Sequence, residues 1–184
     1  LPLTTNAFIV EGNALRMNWA TLKPIDENVQ LNDGLFAGFA TEVDGNEIQY
    51  DYIMGNPPFV GARLMSTDQK NDVISVWGNI KNIGNVDYVS CWYKKAANLM
   101  KNSNVKTALV STNSITQGEQ VAIMWKPLME MGVKINFAYR TFRWDSESTQ
   151  KAHVHCVIVG FSCDNETNKG KRIFNSDGTV DIEK

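Results

Sequence analysis

Between residues 50 and 161, short apolar runs of strand length alternate with stretches of helical period, and this alternation limits the fold more than any other property of the chain. Residues 50–54 form one run and 105–110 another, while 133–139 and 152–161 close the series. Ser66-Thr67-Asp68-Gln69 has the form of a helix capping box. Val73, Val76, Trp77 and Ile80 follow it at i, i+3, i+4 and i+7. Asp87 can cap a second helix, with Val89, Trp92, Tyr93, Ala96, Leu99 and Met100 on its buried face and Lys94, Lys95 and Lys101 pointing mostly elsewhere. A third helix puts Val121, Met124, Trp125, Leu128 and Met129 on one face, is kinked or divided by Pro127, and ends at Gly132. Strands separated by helices imply a mostly parallel α/β sheet with helices on both faces. The last two strands have no helix between them and should pair antiparallel at one edge. Residues 164–184 read as a polar tail or short edge strand. Upstream, a strand is expected at 8–11, and a hairpin around Asp44-Gly45.

Composition removes several classes of function. Hydrophobic residues make up 43% and charged residues 21%, which excludes wholesale disorder and fibrous sequence. No run approaches about 18 apolar residues, so no membrane-spanning helix is expected. The net charge of −2 means that any nucleic-acid contact must be local, or completed elsewhere in a longer protein. Cys91, Cys156 and Cys163 show no C-x-x-C spacing, which fits reduced thiols and a cytoplasmic setting. His153 and His155 alternate on one strand without a nearby third ligand, so no metal site is expected. No two of the 13 glycines stand two positions apart, so a G-x-G cofactor loop is missing from this sequence. The start at Leu1-Pro2-Leu3 leads to the expectation that the chain is a piece of a longer polypeptide.

The chemistry concentrates at Asn56-Pro57-Pro58-Phe59, directly after the run at 50–54. Open α/β sheets bind ligands at the carboxyl ends of their strands. Each proline bars the residue before it from the helical region and lacks an N–H, so the loop is stiff and rich in acceptors. The Asn56 side-chain oxygen and the Pro57 carbonyl can hold the two N–H groups of an exocyclic amine, and Phe59 offers a flat apolar face. Such an amine is a poor nucleophile, and two acceptors favour the charge that develops when it attacks a sulfonium methyl. A base reaches such a loop only after leaving the duplex, and then stacks on an aromatic ring. The bland alternative is a Pro-Pro turn that ends a strand with Phe59 in the core. Other residues have two readings each. Arg140 and Arg143 either contact phosphates or are solvated loop charges. Ser111-Thr112-Asn113-Ser114 either lines the pocket or caps the next helix. Glu119 either bonds within the site or serves helix-start electrostatics.

Asn56-Pro57-Pro58-Phe59 resembles the (Asn/Asp/Ser)-Pro-Pro-(Tyr/Phe) motif of amino-group methyltransferases that use S-adenosylmethionine. The wider stretch YDYIMGNPPFVGARLM at 50–65 is similar to the type IIG restriction–modification enzymes of the MmeI type. So are DYVSCWYKKAA at 87–97, STNSITQGEQVAIMW at 111–125, INFAYRTFRW at 135–144, and 153–161. The resemblance implies a Rossmann-like class I methyltransferase fold, present here in part, and methylation of adenine N6 in double-stranded DNA with the target base flipped out. It implies that Asn56 and Pro57 hold the amine, within the catalytic motif that Pro58 completes, and that Phe59 stacks on the base. A second aromatic late in the domain packs the other side of the base in that family, and Phe142 and Trp144 are the candidates. The segment at 9–15 is similar to the motif that contacts the cofactor's adenine, which assigns Asn13 to cofactor binding, where many relatives carry Asp. The family's Gly-rich loop, first two strands and acidic cofactor residue have no counterpart in this sequence. Residues 1–163 are therefore expected to be the carboxyl-proximal part of a methyltransferase domain, inactive alone. Its partners would be the N-terminal half and a target-recognition domain of the parent protein. The alternatives are a methyltransferase acting on RNA or a protein glutamine, and a non-catalytic DNA-binding or interaction subdomain.

Overall fold

The computed structural model describes residues 10–24, 49–144, 154–164 and 170–183. The chain divides into two units, Leu1–Gln49 and Tyr50–Lys184. In the first, Asn13 caps a short 3-10 turn at Ala14–Arg16, its side chain accepting from the Leu15 N–H at 2.9 Å. Strands β1 (Met17–Asn18) and β2 (Lys23–Pro24) pair antiparallel after it. Residues 10 and 11, the described end of the strand expected at 8–11, are not in a strand, and the hairpin expected at Asp44-Gly45 lies outside the described residues.

The second unit carries a six-stranded sheet in the order β3-β4-β6-β5-β7-β8. The strands are β3 (Tyr52–Gly55), β4 (Lys106–Thr112), β5 (Lys134–Trp144), β6 (Val154–Ser162), β7 (Lys171–Phe174) and β8 (Val180–Glu183). β3 pairs parallel with β4 and β5 with β7, while β6 runs antiparallel to both β4 and β5. Four of the six strands therefore point the same way, and β6 and β8 oppose them. The antiparallel β5–β6 pair forms as expected but is not the edge. The tail at 171–183 folds into a β7–β8 hairpin that extends the sheet past β5.

Helices α1 (Thr67–Trp77) and α2 (Ser90–Met100) fill the β3–β4 crossover. The capping box forms in full: Ser66 Oγ accepts from the Gln69 N–H, and Gln69 Oε1 accepts from the Ser66 N–H. α1 ends at Gly78 with φ of 73°, so Ile80 lies beyond it. Trp77 donates from its indole to Ser90 Oγ at 3.2 Å, joining the two helices. α2 is buried almost all round, and this corrects the expectation for its lysines. Lys94 and Lys95 are each only 5% exposed. The Lys94 ammonium lies 2.9 Å from Met131 Sδ and 5.6 Å from the Trp77 ring centroid. Desolvation lowers both lysines, Lys95 to about 8.

Tyr93 at the centre of α2 stacks on Phe161 of β6, with centroids 5.1 Å apart, and meets Trp125 edge-on at 5.5 Å. Its hydroxyl lies 2.7 Å from Ser111 Oγ of β4. After β4, the third helix divides into α3 (Gly118–Gln120), a π-helical turn at Val121–Trp125, and α4 (Lys126–Glu130). The wider turn sets Pro127 in the first turn of α4, where its missing N–H costs no helical bond. It also splits the expected stripe. Met124, Trp125 and Leu128 are buried, whereas Val121 and Met129 are exposed.

Residues 50–54 read as a buried strand, and the structure corrects this. Among the described residues β3 pairs on one side only. Tyr52 is 67% exposed and Met54 81%: the two share one face of β3, and that face lies open. Their register partners on β4 are Lys106 and Ala108. No helix among the described residues is long and apolar enough to cross a membrane.

Candidate functional site

The β3–β4 register ends at Gly55 opposite Leu109, so Asn56 is the first residue beyond the ladder. Pro57 is buried and Phe59 half-buried, while Asn56 and Pro58 are exposed. A buried first proline between exposed neighbours anchors the loop at the sheet end and leaves Asn56 open to solvent. β4 continues to Thr112, and Thr112 pairs with Cys156, which pairs with Phe142. The Asn56-Pro57-Pro58-Phe59 loop, the Ser111–Ser114 segment and half-buried Phe142 thus share the carboxyl end of the sheet. Trp144 ends β5 opposite Val154, at the same end.

A hydrogen-bonded cluster ties these loops together, and its centre is Asp87. Reading the sequence assigned Asp87 only to a helix cap. α2 has no side-chain cap, and the carboxylate reaches across to two loops instead. Asp87 is 7% exposed. Its Oδ1 accepts from the Ala62 N–H at 3.1 Å, three residues past Phe59. Its Oδ2 accepts from Thr112 Oγ1 at 3.2 Å and from the Ser114 hydroxyl. The Asp87 N–H donates to Gln120 Oε1, and the Tyr88 N–H donates to the Val60 carbonyl, both at 2.9 Å. The signal in the sequence was an acidic residue between the apolar Val86 and Tyr88, where a charge needs partners.

The remaining candidates divide: Arg143 and Glu119 lie near this end of the sheet, whereas Arg140 faces β7–β8 and Asn13 belongs to the other unit. Arg140 donates from Nε to Asn175 Oδ1 at 2.6 Å and pairs with Asp181 at 3.3 Å, on the β7–β8 side of the sheet. It borders a shallow groove with Thr116, Tyr139, Asn175 and Asp177, of roughly 730 Å³. Asp181 already balances its charge there. Arg143 is exposed on β5 opposite His155, and His153 lies outside the described residues. Glu119 sits in the first turn of α3 and accepts from Asn85 Nδ2 at 3.1 Å. Asn13 belongs to the Leu1–Gln49 unit, where its side-chain oxygen serves as a turn cap. Cys91 and Cys156 are buried, and burial pushes the Cys91 thiol up to about 12. Among the described residues, no three His, Cys, Asp or Glu side chains are grouped to hold a metal ion.

The chain is similar to known proteins. DNA methyltransferase A of Bacillus subtilis (strain 168) is 36% identical over 170 residues, which is 92% of this chain and 17% of that protein. The solved structure of the type IIL restriction–modification enzyme MmeI in complex with DNA superimposes with a TM-score of 0.65 at 45% identity. That match covers 71% of this chain and 18% of MmeI. The chain thus spans less than a fifth of either relative. The family model described as MmeI, DNA-methyltransferase domain, matches residues 1–175, from the Asn13 turn through the Asn56-Pro57-Pro58-Phe59 loop to β7. The chain belongs to the MmeI DNA-methyltransferase-domain family.

Proposed function

We propose that this chain is the carboxyl-proximal part of a restriction–modification DNA methyltransferase domain, and that the complete enzyme methylates adenine N6. The observation that carries this is the Asn56-Pro57-Pro58-Phe59 loop at the carboxyl end of β3, within the family match. Asn56 Oδ1 and the Pro57 carbonyl accept the two N–H groups of the exocyclic amine. When bound in the complete enzyme, S-adenosylmethionine would supply an activated sulfonium methyl: its S–C bond would break as the N–C bond forms, and the sulfur would leave as the neutral thioether. The acceptors would stabilise the positive charge on the nitrogen, and one amine proton would leave to water at the exposed Asn56. Phe59 stacks on the flipped base, and Phe142 and Trp144 are the candidates for its opposite side.

We infer that this chain alone holds S-adenosylmethionine weakly. Asn13, the residue assigned to the cofactor's adenine, commits its side-chain oxygen to the Leu15 N–H. The one-sided pairing of β3 among the described residues, and its open face at Tyr52 and Met54, favour a reading in which other parts of the parent domain complete the sheet and supply the cofactor cradle. The recognition sequence would then be read by a target-recognition domain outside this chain.

Calorimetric titration of the 184-residue chain with S-adenosylmethionine tests the division of labour. Weak or absent binding is expected, and low-micromolar binding would contradict it. In the full-length protein, Asn56→Ala is expected to abolish transfer while cofactor binding survives. Phe59→Ala should weaken binding of a flipped adenine by about 1–3 kcal/mol. Assays with DNA, RNA and glutamine-bearing protein side by side identify the acceptor.

A further inference from the structure

We propose that Asp87 is a positioning residue that locks the Asn56-Pro57-Pro58-Phe59 loop against the Ser111–Ser114 loop, so that both walls of the base pocket move as one body. The inference rests on the methyl-transfer reading above for its consequence, though not for its geometry.

Three segments meet at this carboxylate. Oδ1 takes the Ala62 N–H from the strand-exit loop, and Oδ2 takes the Thr112 and Ser114 hydroxyls from the β4 exit. The backbone of the same short stretch adds the Tyr88 N–H to Val60 bond, one residue past Phe59. Gln120 holds the Asp87 N–H from the start of the third helix, and Asn85 binds Glu119 beside it. The loop is thereby gripped at Val60 and Ala62, while Asn56 to Phe59 project beyond the grip.

The purpose of such a grip follows from how β3 is held. β3 has one neighbour in the sheet, and Tyr52 and Met54 on it are exposed. A strand held on one side orients its exit loop poorly, yet amine capture needs acceptors fixed within a fraction of an ångström. Asp87 lies just before α2, whose Tyr93 packs on Phe161 and Trp125, and it carries the hold of that core to the loop. Charge-assisted bonds from a nearly buried carboxylate suit this role, because they are short, directional and strong.

The test uses Asp87→Ala and Asp87→Asn in the full-length protein, with hydrogen exchange on this 184-residue chain as an independent readout. Misplacement of a reacting group by about 1 Å costs about 100-fold, so kcat should fall about 100-fold in Asp87→Ala with KM for DNA changed less than about threefold. Asparagine keeps one acceptor for the Ala62 N–H, so Asp87→Asn should recover about tenfold of that loss. In the isolated chain, Asp87→Ala should speed exchange at the Ala62 amide at least tenfold while amides of β4 and β6 keep their protection. Unchanged kcat alongside a wild-type enzyme that methylates DNA would overturn the proposal. So would faster exchange spread evenly over the sheet, which would mark a general loss of stability. If the wild-type protein transfers no methyl group, the function reading fails, and exchange at Ala62 alone decides whether the clamp exists.

Discussion

α2 and β3 sit at opposite extremes of the same unit, although both are rich in apolar residues. α2 is enclosed so fully that two lysines lie within its buried surface, while β3 leaves Tyr52 and Met54 largely in solvent. The difference lies in neighbours rather than composition. α2 has α1, the sheet and Trp125 around it, whereas β3 has β4 on one side. The loop with the candidate chemistry leaves the poorly supported element and is held by bonds from the start of the well-supported one. Chemistry placed at a strand end takes its precision from whatever grips the loop.

The contrast breaks if the core around α2 proves dispensable. Tyr93→Ala should cost this chain about 3–5 kcal/mol, as for other large buried aromatics, read from denaturant unfolding. A loss under about 1 kcal/mol would mean that Tyr93 is not the hub that its contacts with Phe161, Trp125 and Ser111 describe. Gly160→Ala comes next. A Cβ there would run into the Phe137 ring, and the overpacking should cost about 1–3 kcal/mol.

The lysines provide a pH test. Lys95 has its pKa lowered from 10.5 to about 8, so above pH 8 the folded state sheds this proton before the unfolded state does. The unfolded chain then binds more protons, and stability rises with pH at up to about 1.4 kcal/mol per unit. Cys91 works in the opposite direction. Its pKa is raised from 9.0 to about 12, so above pH 9 the unfolded chain loses a thiol proton that the folded state keeps. The rise should therefore be clearest between pH 8 and 9, and Lys95→Met should flatten it. Cys156 and Cys163, also raised by burial, pull the same way as Cys91. The check is therefore the difference between the two proteins: a Lys95→Met curve parallel to the wild type over that interval would show that Lys95 does not drive the rise. The smallest effect belongs to the open face of β3. Met54→Ser in this chain should change stability by less than about 0.5 kcal/mol, and a loss of about 2 kcal/mol or more would show that this face is covered.

Much of the architecture was legible because it follows from local chemistry. Ser66 and Gln69 specify their capping box within four residues, and the two prolines stiffen the backbone at Asn56, though they do not position it. Tyr93 and Met100 declare the buried face of α2 by their spacing. What failed depended on distant partners. Nothing local distinguishes a Lys95 on a solvated face from one enclosed by neighbouring elements. The exposure of Met54 reflects an open face that no single run encodes, and the β7–β8 hairpin is too short and polar to announce itself. Asp87 looked like a cap because caps are local, while its partners at Ala62, Thr112 and Ser114 lie 25 residues or more away. Asn56 and Phe59 stand out as candidates because the tetrapeptide carries its own stiffness and its own acceptors.

The central claim is that Asn56 and Pro57 hold the amine of a flipped adenine. Its most direct test is mass spectrometry of DNA treated with the full-length protein and S-adenosylmethionine, comparing wild type with Asn56→Ala. The account predicts N6-methyladenine from the wild type and none from the variant, with cofactor binding equal in the two. N6-methyladenine from Asn56→Ala at the wild-type rate, or methylcytosine as the wild-type product, would contradict it.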